Sequence, residues 1–172
     1  MVESLSVPRR PRRVFVTKRI TVPANLRLCC EQFNGRQYFD CHETLEEIWQ
    51  EEEGPVRDLY KGLIQVAAAF VHITRGNHVG ASRLLATGAK YLQPYRETGA
   101  MGFDVDRIVR GTEAARAIVA DLGPGKLADF DLALAPAYRF DESAIASEAR
   151  HWHAWGFDAD GKALEMEITV AE

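Results

Sequence analysis

The sequence predicts an all-α domain, compact and bundle-like, of about five helices, with room for short terminal β-strands. Three observations carry that prediction. Apolar residues recur at helical spacing in successive segments between Ala24 and Leu122. Turn-forming pairs, Asn34-Gly35, Gly54-Pro55, Gly76-Asn77 and Gly123-Pro124, separate those segments. A chain of 172 residues, 47% hydrophobic and 27% charged, can bury one sizeable core and is too apolar for disorder to describe the whole.

The elements follow in order. Val14 to Val22 is rich in β-branched residues and reads as a short strand or extended arm ended by Pro23. The first helix runs from Ala24 to Phe33, where Asn34-Gly35 supplies residues that tolerate the left-handed conformation closing a helix. Further helices are expected from about Tyr38 to Glu52, Val56 to Thr74 and His78 to Gln93, with Pro94 ending the last. Asp104 is the expected N-cap of a fifth, which keeps its apolar spacing to Leu122. A loop-rich stretch and a short helix after Asp141 or Ser143 follow. Leu164, Met166, Ile168 and Val170 then alternate with Glu165, Glu167 and Thr169, the pattern of a half-buried strand able to pair with Val14 to Val22.

Charge divides the chain unevenly. Residues 1–30 hold seven Lys/Arg against Glu3 alone, so the remainder is strongly acidic although the net charge is −4. The reading is a basic N-terminal arm, residues 1–22, on a single helical domain, residues 23–172, with residues 1–12 dispensable for folding. The arm lacks interleaved aromatics and the pI is near 5.8, which argues against nucleic acid as partner. Arg12-Arg13-Val14-Phe15 has the look of a twin-arginine export signal, but Thr17-Lys18-Arg19 breaks the apolar run such a signal needs. No stretch reaches the roughly 18 apolar residues of a membrane span. Cys29, Cys30 and Cys41 are odd in number and lack C-x-x-C spacing, so neither a disulfide framework nor a cysteine zinc site is indicated, and a reduced cytoplasm is the expected location.

One constellation can carry chemistry. At about 100° per residue, His42 falls inside the apolar stripe of Tyr38, Leu45 and Trp49, and Glu46 falls between His42 and Phe39. Glu43 and Glu47 point outward. A carboxylate at the edge of an apolar stripe needs a proton, a donor or a cation to offset its desolvation, and His42, four residues earlier, is placed to help supply it. Asp40 and Glu43 have the spacing of a capping box. The third helix is apolar around most of its circumference and is expected to be central, with Lys61, Gln65 and His72 on one polar strip. Gln65 and His72 lie about 10 Å apart along the axis, so one of them, not both, is the expected third ligand beside His42 and Glu46. Arg83 is a candidate anion contact, and Trp49 is read as core packing rather than substrate stacking. His151-Trp152-His153 is read as surface.

Three blocks, Phe33-Asn34-Gly35-Arg36-Gln37-Tyr38-Phe39-Asp40-Cys41-His42-Glu43-Thr44-Leu45-Glu46-Glu47-Ile48-Trp49, Gly62 to Ala69 and Gly76 to Ala81, resemble the bacterial and archaeal domain of unknown function family 309. The likeness covers about Phe33 to Leu92. It implies an all-α domain and a His-x-x-x-Glu-x-x-(Trp/Tyr) hallmark proposed to bind metal, falling here on His42, Glu46 and Trp49.

Two function classes survive. One is a metal-dependent enzyme of hydrolase type, in which His42 and Glu46 hold a divalent Zn, Mn or Fe ion. The other is a non-catalytic helical module in which the His/Glu/Gln cluster is a buried hydrogen-bond network. A small-molecule ligand and a homo-oligomer fit either class, and no membrane partner is expected. The expected core is Leu45, Trp49, Leu63, Val66, Phe70, Leu84, Leu85 and Leu92.

Overall fold

A computed structural model describes residues 15–22, 25–145 and 163–170. Residues 1–14 of the basic arm and the His151–His153 segment lie outside the described residues. The order is β1 (Phe15–Val22), α1 (Asn25–Asn34), α2 (Tyr38–Glu51), α3 (Arg57–Thr74), α4 (His78–Leu92), α5 (Val105–Leu122), the four-residue α6 (Glu142–Ile145) and β2 (Ala163–Val170). Short 3-10 turns occupy Gln93–Tyr95, Leu127–Asp129 and Leu132–Leu134. The domain is all-α in its packed body. β1 and β2 pair in parallel, with Phe15 opposite Ala163 and Val22 opposite Val170.

Each of the helices α1 to α5 packs chiefly on its neighbours in sequence, because connections of a few residues force successive helices to run antiparallel. The α4–α5 connection is longer and holds the first 3-10 turn. α3 is flanked by α2 and α4 and is the central helix, as its nearly continuous apolar surface requires: Leu59, Tyr60, Leu63, Val66, Ala67, Ala69 and Phe70 are fully buried. The contact between α3 and α4 is a glycine-lined one. A Cβ on Gly62 would lie 2.7 Å from the Leu92 side chain and 3.2 Å from the Gly88 carbonyl, and one on Gly88 would lie 2.9 Å from Val66. Leu45, Leu63, Val66, Phe70, Leu85 and Leu92 form the core as the periodicity requires, while Trp49 and Leu84 are only partly buried against it. Among the described residues no helix is long and apolar enough to cross a membrane.

The helix ends show where local rules held and where they did not. Asp104 caps α5 through its carboxylate, which accepts from the Arg107 amide at 3.1 Å. Gly76 and Gly123, at φ +71° and +72°, close α3 and α5 in the left-handed region. At the end of α1 the left-handed residue is Arg36, at φ 64°, rather than Asn34 or Gly35. Asn34 is the last residue of α1, and its side chain is engaged elsewhere: its amide donates to the Tyr138 carbonyl at 2.7 Å and its oxygen accepts from the Tyr138 amide at 2.9 Å. That double bond anchors the stretch after α5 across the helices. Tyr138 then stacks on Phe33 and donates its hydroxyl to the Leu63 carbonyl at 2.8 Å, while Phe130 packs edge-on against Phe70.

Candidate metal centre

α2 starts at Tyr38 and lays Tyr38, Cys41, Leu45 and Ile48 into the core, so the residues one position on from these ridges lie at the boundary with solvent. His42 and Glu46 occupy that boundary one turn apart. The His42 Nδ1 lies 3.3 Å from a Glu43 oxygen and 3.8 Å from a Glu46 oxygen. One ligand atom from each of His42, Glu43 and Glu46 lies within 4.8 Å of the others. Beside them Phe39 stacks on the His42 ring at 6.2 Å, and Arg75, from the turn after α3, lies 5.9 Å over Phe39.

Two expectations change here. The capping box is not formed: Gln37 is the N-cap and Asp40 sits within the first turn, so Glu43 is released from a reciprocal capping role and turns to His42 instead. Glu46 is also not buried. Side-chain exposures of 26%, 57% and 40% for His42, Glu43 and Glu46 make this a surface cluster, and the desolvation penalty expected to demand a partner for Glu46 is largely absent. Helical spacing puts Glu46 at the stripe's edge but does not say whether a neighbouring helix covers that edge.

The other singled-out residues are accounted for separately. His72 lies in the last turn of α3, and its Nδ1 is 3.0 Å from the Asn77 side-chain nitrogen. Gln65 has its oxygen buried without a hydrogen-bond partner among the protein atoms. Trp49 packs against the core and is covered by cations, with the Arg57 guanidinium 4.0 Å and the Lys61 ammonium 4.5 Å from its ring centre. Arg57 also donates to the carbonyls of Trp49 and Glu52, satisfying groups left open at the end of α2. Trp49 is thus part of the lock between α2 and α3. Arg83 is on the exposed side of α4.

The cysteines offer no rival centre. Cys29, Cys30 and Cys41 are free and buried. Hydrogen bonding to Cys29 together with burial pushes the Cys30 thiol far above its ordinary range, so it stays protonated and is a poor nucleophile at neutral pH. A cleft of about 560 Å³ beside Cys30, lined by Arg27, Glu31, Tyr138 and Arg139 among others, is separate from the His42 cluster. Sequence reasoning missed Glu43 as a cluster member, although its adjacency to His42 was the available signal.

Comparison with known proteins adds a family likeness. Residues 26–84 match the family described as Domain of unknown function (DUF309), a stretch covering α1, α2, α3 and the first half of α4. The chain is 42% identical over 76 residues to the Uncharacterized protein YpuF of Bacillus subtilis (strain 168). That match covers 43% of this chain and 44% of the relative, so it spans less than half of either. No solved structure matches.

Proposed function

Starting from a DUF309-like segment that carries the cluster, we propose that this chain is a helical module holding a divalent cation at His42, Glu43 and Glu46. The supporting observation is the mutual approach of the three ligand atoms within 4.8 Å. Metal–ligand distances near 2 Å bring two ligands of one ion to about 4 Å apart or less, so small rotamer changes suffice. An imidazole nitrogen with two carboxylates suits Zn²⁺, Mn²⁺ or Fe²⁺. The field around α2 assists: from Tyr38 to Glu53 there are seven Asp/Glu and no Lys or Arg. An ion held from one exposed helix keeps open positions and, when bound, supplies a Lewis acid or an activated water, which is what a hydrolase would use.

The second reading is the non-catalytic one, favoured by the direct His42–Glu43 contact at 3.3 Å, which needs no ion. Metal titration separates the two. Calorimetry of the full chain with Zn²⁺ or Mn²⁺ should show one site per chain, and His42→Ala and Glu46→Gln should each abolish it with the helical circular dichroism unchanged. Failure of the wild type to bind either ion would leave the module without a metal, and binding that survives both substitutions would mean that the ion is held elsewhere than at this cluster.

A further inference from the structure

A cleft of about 290 Å³ opens where the turn between α1 and α2 meets the stretch after α5. None of His42, Glu43 and Glu46 lines it, so it stands apart from the cation cluster. Its apolar lining includes Phe33, Leu132 and Pro136. Its charges are Arg36 and Arg139, with no Asp or Glu among the lining residues. The chain as a whole has an excess of acid, and Arg96, Arg110 and Arg116 each pair with a carboxylate. Arg36 and Arg139 have no ion pair among the described residues.

Arg36 also holds a backbone position that favours glycine. α1 closes with the Arg36 amide on the Phe33 carbonyl at 3.0 Å and the Gln37 amide on the Gln32 carbonyl at 2.8 Å, a closure that sets residue 36 in the left-handed conformation at φ 64°. The turn thus presents a guanidinium where the backbone alone would select a glycine. Tyr38 lines the same cleft; it is only 4% exposed, and its hydroxyl has no hydrogen-bond partner among the described residues. Burial pushes this phenol up against the opposing pull of the Arg36 guanidinium, so it stays a protonated donor within reach of that charge.

We infer that the cleft binds a small phosphate monoester, its phosphate held by Arg36, Arg139 and the Tyr38 hydroxyl and its organic group set against the apolar lining. A doubly charged oxyanion matches two guanidinium forks and a phenol donor, whereas a single carboxylate would leave one fork unmatched. A volume near 290 Å³ is at the lower edge of small-molecule sites, which suits a ligand smaller than a nucleotide.

Amide NMR of the isotope-labelled full chain, titrated with phenyl phosphate in the presence of EDTA to keep the cation cluster empty, tests this. Amides of residues 36–38 and 137–139 should shift saturably, and phenyl phosphate should bind more tightly than inorganic phosphate or benzoate. Arg36→Gly removes the guanidinium and suits the left-handed turn, so it should weaken binding at least about tenfold while the melting temperature is kept or raised. Arg139→Ala should weaken binding to a similar degree, and Tyr38→Phe, which keeps the ring beside Phe33, by a few-fold. The absence of any saturable shift at millimolar phenyl phosphate overturns the proposal. So does an affinity unchanged in Arg36→Gly or Arg139→Ala, or inorganic phosphate or benzoate binding as tightly as the ester.

Discussion

At the scale of single residues, burial decides which side chains matter. Phe70 has no exposed surface and meets Phe33, Tyr38 and Phe130, with ring centres 5.6, 5.2 and 5.7 Å away. Phe70→Ala should therefore cost about 3–5 kcal/mol through lost burial and the cavity left behind, measured by urea unfolding. A loss below about 1 kcal/mol would show that the rings around it close the gap or never enclosed it. This residue was legible in the sequence because it lies on the same side of α3 as Leu63, and helical spacing converts directly into a shared face. Glu46 was less so. Its angle on α2 was right, yet its exposure depends on how closely α3 covers that edge, a tertiary fact with no local signature. Glu43 shows a related limit: its partner hung on whether the helix began at Tyr38 or after Asp40, and a shift of a few residues in a helix start reassigns every side chain in the first turn.

At the scale of elements, the pairing of α3 with α4 rests on the two glycines between them. Gly62→Ala gains about 1 kcal/mol of intrinsic helix propensity. Against that gain, the new methyl would lie 2.7 Å from the Leu92 side chain and 3.2 Å from the Gly88 carbonyl. Leu92 can rotate, but the carbonyl belongs to the backbone of α4, so the helices must separate slightly along a buried contact, at about 1–3 kcal/mol for overpacking. The net expectation is a loss of up to about 2 kcal/mol in unfolding free energy. A gain in melting temperature would show that helix propensity outweighs the contact. The pairing was readable in advance, since Gly80, Ala81, Gly88 and Ala89 leave α4 with a stripe of small residues. The ends of α3 and α5 and the start of α5 were readable too, because the residues there act through local backbone: Gly76 and Gly123 take a positive φ, and Asp104 accepts from the first turn it caps.

At the scale of the whole molecule, the stretch from Leu127 to Phe140 is what turns neighbouring helical hairpins into one closed core, and nothing in its local sequence announced this. Asn34 and Tyr138 are 104 residues apart, and their pairing has neither periodicity nor a motif to reveal it. The anchoring is made of three hydrogen bonds and a stack. Asn34→Ala removes two bonds and leaves the Tyr138 amide and carbonyl without those partners, so about 1–3 kcal/mol should be lost. Tyr138→Phe removes the bond to the Leu63 carbonyl but keeps the ring against Phe33, so it should cost less, about 0.5–1.5 kcal/mol. The order of the two variants is the test, read by denaturant unfolding alongside limited proteolysis of residues 123–141. If the backbone clasp holds the segment, Asn34→Ala should expose it to protease well before global unfolding, whereas Tyr138→Phe should leave it protected. Equal protection in both variants would mean that Leu127 and Phe130, buried against the helices, hold the segment by apolar packing alone, and that Asn34 serves only the end of its own helix.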